Sequence, residues 1–290
     1  MKKILVTGVN SYIGNSFRTY MQNFPENFQL EGISVRNDAW KDLDFSAYEV
    51  VFDVAGIAHA DTGHVSEETK QRYYAVNRDL TIALAQKAKA SGVRQFIFMS
   101  SAIIYGDSAP IGSRKLITAN TPPSPADFYG DSKLQAERGI LPLSDGRFKV
   151  VVLRPPMIYG KGSKGNYPIL SKMAQKLPMF PQIDNVRSML YIGNLVEFVR
   201  LIIKNEECGI FFPQNAEYTN TSQLVEMIAG AHGKRIALIP GTTGMLRLLS
   251  TATGLVNKAF GSLAYDMELS EYPENYRLFS LEESIHLTEE

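Results

Sequence analysis

Tyr129 and Lys133 are the two residues whose types and spacing most clearly suggest chemistry. Residues four apart lie on one face of a helix, about one turn from each other. A tyrosine ionises near pH ~10, and a neighbouring ammonium favours its phenolate form. The pair therefore predicts a general acid/base, and the hydroxyl of Ser101 upstream would hold the reacting oxygen. An exposed helical pair is the alternative interpretation of this spacing taken alone.

A glycine-containing loop lies between a predicted strand at Lys2–Val6 and a predicted helix at Tyr12–Met21. In this context the loop is typical of a dinucleotide site, because amides at the helix N-terminus face the pyrophosphate. Gly8 permits the tight turn, and Gly14 lets the helix and strand pack closely. Ser11 replaces the usual middle glycine and is small enough for phosphate to approach. The positive charge of an oxidised nicotinamide ring would act together with Lys133 to lower the pKa of Tyr129. A shift of roughly three units needs about 4 kcal/mol of stabilisation of the phenolate relative to the phenol.

The end of the next predicted strand, Phe28–Val35, indicates which dinucleotide is bound. NAD-binding proteins place an Asp or Glu there to hold the ribose hydroxyls. This chain has Ser34 and Arg36 instead, and an arginine suits the 2′-phosphate of NADP. Asp38 is close enough to keep NAD possible, and Arg36 could be an ordinary solvated loop charge. NADP is therefore the favoured cofactor, and NAD is the alternative.

Predicted strands and helices alternate over most of the chain. This alternation predicts an α/β fold with a Rossmann-type, doubly wound parallel sheet, whose ligands lie beyond the carboxyl ends of the strands. Short strands and helices after Cys208 predict a small C-terminal mixed α/β lid. We predict an NAD(P)-binding domain of residues 1–154 and 186–204, and a substrate-binding lid of residues 155–185 and 205–290. The elements that carry the alternation are strands at Glu49–Val54, Gln95–Ser100 and Phe148–Leu153, and helices at Glu67–Ser91, Phe128–Ile140 and Leu195–Lys204.

Composition and charge exclude several classes of protein. The chain has 290 residues, of which 44% are hydrophobic, so it can bury a large core. Thirty basic and thirty acidic residues leave no net charge to attract nucleic acid or an anionic membrane. The single Cys208 excludes an internal disulfide, and without a leader segment or an apolar run of ~18 residues a cytoplasmic protein is predicted. No metal site is expected, because metal-ligand spacing is lacking among the histidines, which are His59, His64, His232 and His286.

Seven short segments, spread over nearly the whole chain, match the pattern of one enzyme family. They are TGVNSYIG at 7–14, VFDVAGIAH at 51–59, YYAVN at 73–77, FMSSAIIYG at 98–106, YGDSK at 129–133, LRPPMIYG at 153–160 and RSMLYIGNL at 187–195. Together they resemble the extended short-chain dehydrogenase/reductase family, in its NAD-dependent epimerase/dehydratase branch of nucleotide-sugar 4-epimerases and 4-keto-sugar reductases. The resemblance implies a Rossmann-type NAD(P)-dependent enzyme whose substrate is a nucleotide-linked sugar, with UDP as the expected nucleotide.

The resemblance also implies roles for individual residues. Ser101 would bond the substrate oxygen, Tyr129 would act as general acid/base, and Lys133 would bind the ribose and tune the tyrosine. Asp42 and Leu43 resemble the pair at the adenine edge in the family. The set predicted to bind the cofactor is Gly8, Asn10, Ser11, Tyr12, Ile13, Gly14, Arg36, Asp42, Leu43, Ala55, Gly56, Asn77, Ser100, Tyr129, Lys133 and Pro156. The set predicted to bind the substrate is Ser101, Asn166 and Arg187, with the arginine on the diphosphate.

Departures from the family pattern narrow the reaction. Sugar dehydratases carry an Asp-Glu pair directly after the catalytic hydroxyl residue, whereas this chain has Ala102 and Ile103, which cannot move protons. The epimerases often place an Asn at the position of Met157, and residues 154–166 look more like bacterial 4-keto-sugar reductases of surface-polysaccharide pathways. A 4-keto-sugar reductase in the synthesis of such precursors is therefore predicted. A UDP-sugar 4-epimerase is the main alternative, and a non-catalytic NADP-sensing regulator is a lesser one.

A homodimer is predicted from two helices. Glu67–Ser91 and Phe128–Ile140 each offer apolar faces, and the equivalent helices of the resembled proteins pair across a two-fold axis into a four-helix bundle. Burial of those faces entirely against the sheet is the alternative.

Overall fold

The computed structural model describes residues 1–58, 65–252 and 259–290. No helix among these residues is long and apolar enough to cross a membrane. The chain forms two compact units. The first unit contains Met1–Gly106, Pro123–Pro155 and Leu195–Pro213, and the second contains Asp107–Pro122, Pro156–Asn194 and Gln214–Glu290.

Strands and helices alternate in the first unit, and shorter elements make up the second. The strands are β1 Lys2–Thr7, β2 Phe28–Ile33, β3 Val50–Asp53, β4 Gln95–Met99, β5 Leu116–Ile117, β6 Lys149–Leu153, β7 Met157–Tyr159, β8 Met179–Pro181, β9 Met189–Tyr191, β10 Gly209–Phe211, β11 Ala237–Ile239 and β12 Ala264–Tyr265. The helices are α1 Tyr12–Met21, α2 Glu67–Tyr74, α3 Thr81–Ala90, α4 Phe128–Ile140, α5 Asn166–Lys176, α6 Ile192–Lys204, α7 Thr221–Ala231, α8 Thr243–Ala252 and α9 Leu281–Glu289.

The sheet of the first unit has the strand order β10-β6-β4-β3-β1-β2, and every neighbouring pair is parallel. From β1 the chain moves to one edge with β2 and then returns past β1 to β3, so the direction of winding reverses between β1 and β3. Ligands of doubly wound sheets lie outside the carboxyl ends of the strands at such a reversal. The predicted Rossmann-type doubly wound parallel sheet is thus confirmed, and the loops after β1 and β3 flank its switch point.

Apolar residues cover both faces of this sheet. β3 is buried throughout, as expected for a parallel strand with helices on both sides. On one side, Leu84 of α3 and Ala136 of α4 belong to one buried cluster with Phe96 of β4. On the other side, the ring of Phe17 in α1 meets Phe52 of β3 edge-on, with 4.9 Å between centroids. The helices that carry the loops of the site are therefore anchored by the core.

The helix predicted at Glu67–Ser91 is interrupted in its middle. A π-helical segment, Ala75–Leu80, joins α2 to α3, and such segments are frequent at functional sites. Its Asn77 is buried and bonds the backbone of Ile57 twice, accepting from the amide at 2.8 Å and donating to the carbonyl at 3.1 Å. The wider turn therefore ties this helix to the loop that follows β3.

The two units differ from the predicted domain boundaries in three segments and at Pro155, which lies in the first unit. Residues 205–213, assigned to the lid, lie in the first unit because β10 pairs with β6 at the sheet edge. Residues 107–122 lie in the second unit because β5 pairs with β12. Residues 186–194 also lie there, since β9 pairs with β7. Strands of two or three residues are too short to show a hydrophobic alternation, so the sequence alone does not predict these boundaries.

The second unit has the mixed α/β composition that was predicted for the lid. Its strands form the parallel pairs β5–β12, β7–β9 and β8–β11, and α7 contacts both α5 and α9. The ring of Tyr159 stacks on Tyr167 with 5.1 Å between centroids. Its hydroxyl lies 2.6 Å from that of Ser284 and accepts from Asn215 at 2.9 Å. A stacked pair of tyrosines, in which the Tyr159 hydroxyl is bonded to two partners, thus lies in the core of this unit.

Candidate active site

The three predicted catalytic residues come together at the carboxyl end of β4. Ser101 follows β4 and caps a short helix over Ala102–Tyr105 by accepting from the amide of Ile103 at 3.3 Å. Tyr129 lies in the first turn of α4 and makes a side-chain hydrogen bond with Ser101. Lys133 lies one turn further along α4, as its spacing predicted. Ser101, Tyr129 and Lys133 therefore occupy one site within the first unit.

The environment of Tyr129 holds its proton more tightly than in water. Burial among neighbouring atoms raises the pKa of Tyr129 to about 12, while the hydrogen bond with Ser101 opposes this rise, and Tyr73 and Asp127 add to it. The expectation that Lys133 and an oxidised nicotinamide ring together lower this pKa concerns the protein with its cofactor bound and stays a prediction. In the protein by itself, the Lys133 ammonium donates to the carbonyl of Met99.

The ammonium group of Lys133 is buried and has few hydrogen-bond partners. Its side chain is 5% exposed, and Nζ donates to the carbonyl of Met99 at 2.9 Å. Nζ also lies 4.6 Å from the centroid of the Phe98 ring. Burial lowers the pKa of Lys133 to about 8, and the negative charges of Asp53 and Glu137 act against this lowering. The lysine thus holds its proton less tightly than an exposed lysine but is still mostly charged at neutral pH.

Asp53 is a buried acid in this site that the sequence analysis did not select. It ends β3 and is 1% exposed. Its carboxylate accepts from the hydroxyl of Thr7 at 2.5 Å, from that of Thr81 at 3.1 Å and from the amide of Ala55 at 3.2 Å. The signal in the sequence was a single acid inside the otherwise apolar run from 50 to 55.

A second buried acid, Glu137, bonds Ser100, the residue before the predicted catalytic Ser101. It is one helical turn beyond Lys133 and accepts a hydrogen bond from the hydroxyl of Ser100. Arg154 bonds both of its oxygens, with 2.6 Å between Nη2 and Oε2, and donates from Nη1 to the hydroxyl of Tyr105 at 2.7 Å. This network bridges α4, the end of β6 and the segment after β4. In the sequence, Glu137 could have been selected because it lies four residues after Lys133, on the same helix face.

The glycine loop has the shape that a dinucleotide phosphate requires. Gly8 has a φ of +64°, and a Cβ there would lie 3.0 Å from the backbone of Ala55. A Cβ on Gly14 would lie 2.9 Å from Oγ of Ser11. Ser11 caps α1, because its Oγ accepts from the amide of Gly14 at 3.0 Å. The first turn of α1, with Asn10 just before it, thus leaves backbone amides free to bind a phosphate. The close contacts at Gly8 and Gly14 explain why these two positions are glycines.

The residues predicted beside the ribose also gather in the first unit. Ala55 and Gly56 follow β3, and a Cβ on Gly56 would lie 3.2 Å from Oδ1 of Asn77 and 3.3 Å from Nζ of Lys133. Asn77 donates to the hydroxyl of Ser132 at 3.1 Å. The backbone at Gly56 therefore lies close to the lysine that would hold the ribose, with little room for a side chain. The predicted members Tyr12 and Ile13 begin α1, and Ser100 follows β4.

The residues predicted to choose the cofactor lie after β2, the neighbour of β1. Arg36 is exposed there. Asp42 ends a short helix over Asp38–Lys41 and is exposed, while Leu43 packs against the core. An exposed guanidinium beside the glycine loop fits the 2′-phosphate of NADP.

The predicted substrate residues other than Ser101 lie in the second unit, as does Pro156. Asn166 is the first residue of α5. Arg187 is largely buried, and its Nη1 donates to the carbonyls of Ala259 at 3.3 Å and Gly261 at 3.2 Å. Burial lowers the pKa of this arginine from its ordinary value. Arg187 therefore fastens a loop of its own unit.

Within the part of the chain that the structure describes, no three acidic, histidine or cysteine side chains form a group suited to a metal ion. Nε2 of His232 lies 2.8 Å from Glu289, and His286 is part of α9. His59 and His64 lie outside the described residues.

The sequence pattern of the NAD dependent epimerase/dehydratase family matches residues 4–211, which include the glycine loop and the three predicted catalytic residues. The chain belongs to this family. The resemblance found in the seven segments is thus confirmed, and this epimerase/dehydratase-family chain is an NAD(P)-dependent enzyme.

Known proteins similar to this family member include both epimerases and reductases. The UDP-glucose 4-epimerase of Vibrio cholerae is 30% identical over 83% of this chain and 74% of its own length. The N-acetyl-α-D-glucosaminyl-diphospho-ditrans,octacis-undecaprenol 4-epimerase of Escherichia coli O157:H7 is 28% identical over 87% and 77% of the two chains. The structure of dTDP-4-dehydrorhamnose reductase from Bacillus anthracis in complex with NADP superposes with a TM-score of 0.73, at 15% identity over 99% and 98%. The last similarity is one of fold.

Proposed function

We propose that this chain is a 4-keto-sugar reductase, which uses NADPH to reduce the C4 ketone of a nucleotide-linked sugar. The observation that carries the proposal is the hydrogen bond between Ser101 and Tyr129, which brings two hydroxyls together where both can bond one ketone oxygen. Tyr129 keeps its proton at neutral pH, as an ordinary tyrosine does, and a reductase needs its proton donor in that state. We propose that the product serves the synthesis of bacterial-type surface-polysaccharide precursors, as in the reductases that residues 154–166 resemble.

The chain's own groups would carry the proton through this reaction. The hydroxyls of Ser101 and Tyr129 would both bond the ketone oxygen, and Tyr129 would release its proton to that oxygen as negative charge develops there. Lys133 would bond the ribose hydroxyls and stabilise the phenolate that remains. The turn from Gly8 to Gly14 would hold the pyrophosphate. When bound, the reduced nicotinamide supplies the hydride.

A second candidate is 4-epimerisation of a UDP-sugar, which the similarity to the UDP-glucose 4-epimerase of Vibrio cholerae favours. In that reaction Tyr129 would first remove the proton of the 4-hydroxyl and later return it. A phenolate is then required, so the pKa of about 12 would have to fall when the cofactor binds. The positive charge of the oxidised nicotinamide acts in that direction.

Product analysis with purified protein separates these reactions. A reductase is expected to consume one NADPH for each UDP- or dTDP-linked 4-keto sugar and to leave UDP-glucose unchanged. Interconversion of UDP-glucose and UDP-galactose without net loss of cofactor would instead establish the epimerase. Stoichiometric cofactor binding without turnover of any UDP-, GDP- or dTDP-sugar would support the NADP-sensing regulator, which the complete set of Ser101, Tyr129 and Lys133 argues against.

Arg36→Ala is expected to weaken NADP binding by about 10–100-fold, because a charge-assisted bond to the 2′-phosphate contributes roughly 1.5–3 kcal/mol. Binding of NAD, which lacks this phosphate, should change by a small factor only. Fluorescence titration with both cofactors measures the two constants. Lys41→Ala removes a positive charge from the same exposed loop and is the control. Equal losses for NAD and NADP would show that Arg36 does not contact the 2′-phosphate.

Arg187→Ala is expected to raise KM for a nucleotide sugar by about 10–100-fold if the guanidinium bonds the diphosphate, with NADP affinity little changed. Arg114→Ala is a suitable control, since Arg114 is an exposed arginine of the same unit paired with Asp184 at 3.2 Å. The bonds of Arg187 to the carbonyls of Ala259 and Gly261 make a fall in melting temperature an expected second effect. A fall in melting temperature with unchanged KM would leave Arg187 a purely structural role.

We also propose a cytoplasmic homodimer that pairs α2, α3 and α4 across a two-fold axis. The inner faces of these helices pack against the sheet, so the outer faces would form the contact. These outer faces carry a bond from the Tyr74 hydroxyl to Asp131 at 2.7 Å and one from Arg78 to Gln135 at 2.8 Å. A dimer of this kind would therefore have a more polar interface than the sequence suggested.

A further inference from the structure

The segment that carries Ser101 is fastened by side chains at both of its ends. This serine segment, Ser100–Tyr105, follows β4 and contains the short helix that Ser101 caps. The hydroxyl of its first residue donates to Oε1 of Glu137 in α4. The hydroxyl of its last residue accepts from Nη1 of Arg154, which follows β6, at 2.7 Å. The predicted catalytic serine therefore lies between two side-chain hydrogen bonds.

The two partners of the serine segment, Glu137 and Arg154, form one buried ion pair. Nε of the arginine lies 3.2 Å from each carboxylate oxygen, and Nη2 lies 2.6 Å from Oε2. Both side chains are almost fully buried, so water does not compete for these bonds. A guanidinium presents its donors in a rigid planar fork, which gives such a pair one preferred geometry. Both ends of the serine segment are thus attached to a single rigid group.

A close backbone contact joins the serine segment to the start of α4, the helix that carries Tyr129. A Cβ on Gly130, the residue after this tyrosine, would lie 2.9 Å from the carbonyl oxygen of Ile103 and 3.0 Å from Cβ of Pro125. The first turn of α4 therefore lies directly against the serine segment. One point of contact does not stop a helix from tilting, so a second attachment further along α4 is needed to fix the two elements.

Glu137 supplies this second attachment. It lies seven residues after Gly130 in α4, which is about 10 Å further along a helix, and it bonds the first residue of the serine segment. Lys133 also joins α4 to the end of β4, through the carbonyl of Met99. In the proposed function, however, the lysine ammonium bonds the ribose. Glu137 is almost fully buried, so its bond can persist whether or not a cofactor is present.

We propose that Glu137 and Arg154 are positioning residues that act through Ser101. The buried pair holds both ends of the serine segment against α4, and it thereby keeps the hydroxyls of Ser101 and Tyr129 where they can share one substrate oxygen. This inference rests on the proposed function, in which both hydroxyls bond the C4 oxygen of the sugar. It applies equally to the reductase and the epimerase, because the two reactions use the same pair of hydroxyls.

The test removes the two links to the serine segment and leaves the ion pair in place. Ser100→Ala and Tyr105→Phe each delete one of the two hydrogen bonds. The position of Ser101 against Tyr129 is followed by NMR on the Cζ resonance of isotope-labelled tyrosine, in the full chain without cofactor or substrate. Ser101→Ala gives the shift that complete loss of the serine hydroxyl produces. The double variant Ser100→Ala with Tyr105→Phe should move the Tyr129 resonance in the same direction and by a comparable amount.

Thr81→Val is the matched control for these variants. Thr81 is buried like Ser100, and its hydroxyl also donates to a buried carboxylate, that of Asp53 at 3.1 Å. The control should lose stability but leave the Tyr129 resonance unmoved. Kinetics at saturating NADPH and sugar give a second measurement. In the double variant kcat should fall by about 10–100-fold, because a small misplacement of a catalytic group has an effect of this size, whereas the control should keep its kcat.

An unmoved Tyr129 resonance in the folded double variant would overturn the proposal, as would an equal shift in Thr81→Val. If the double variant does not fold, the two single variants decide the question, and an unmoved resonance in both of them has the same consequence. The NMR measurement uses no sugar, so the positioning role can fail while the reductase stands. Conversely, a protein that reduces no 4-keto sugar contradicts the proposed function and leaves the NMR result as it is.

Discussion

Replacing Tyr129 by Phe is expected to lower kcat by ~10²–10⁴-fold, the usual cost of removing a general acid or base. The ring of Tyr129 packs edge-on against Tyr73, with 6.0 Å between centroids, and a phenylalanine would keep this contact. Only the transferable proton and the bond with Ser101 would be lost. Affinity for the cofactor should therefore change by a small factor.

Steady-state kinetics and cofactor titration on the same preparation measure the two effects. Tyr74→Phe is the matched control, since it also removes one hydroxyl, from a bond with Asp131 on the outer side of the same pair of helices. Its kcat should stay within a small factor of the wild type. Activity of Tyr129→Phe above a tenth of the wild-type value would remove this tyrosine from the central role.

Glu137→Gln is expected to reduce the free energy of unfolding by about 3–5 kcal/mol, because it leaves a buried guanidinium without its counter-charge. The side chains of Arg154 and Glu137 are only 8% and 1% exposed, so water cannot replace the lost partner. The same network holds Ser100, the residue before the predicted catalytic Ser101, and Tyr105, which ends the short helix that Ser101 caps. We therefore expect kcat to fall in the fraction that remains folded.

Urea denaturation at neutral pH measures this loss. Asp184→Asn is the control, because it breaks an ion pair with Arg114 whose side chains are 83% and 68% exposed, and it should cost about 0–1 kcal/mol. The double variant Glu137→Leu with Arg154→Met removes both charges and should recover part of the stability. A single variant as stable as the wild type would show that the buried pair is not needed for folding.

The amino-acid sequence by itself determined the features that depend on residues close together along the chain. The predicted helix Phe128–Ile140 is α4 with the same bounds, and the predicted strand at Lys2–Val6 is β1 with one residue more. Tyr129 and Lys133 share a helix face because the helical repeat alone places them there. The glycine loop was recognisable for the same reason, since a strand, a turn and a helix follow one another directly.

The tertiary structure alone decided which charges meet in the interior. Asp53 and Thr81 are 28 residues apart, and Arg154 and Tyr105 are 49 apart, so no local pattern links the members of either network. The edge strand β10 was missed for a similar reason, because three residues acquire their role only by pairing with β6.

The protonation states of Tyr129 and Lys133 are also decided by the tertiary structure. Spacing placed Lys133 one turn from Tyr129, but it did not show that burial raises the pKa of Tyr129 to about 12 or that the ammonium bonds the carbonyl of Met99. A pKa depends on loss of water and on every charge within a few ångströms, and both are set by segments distant in sequence. The types and spacing of residues therefore determined the kind of chemistry, and the packing of the folded chain decided the charge state in which it begins.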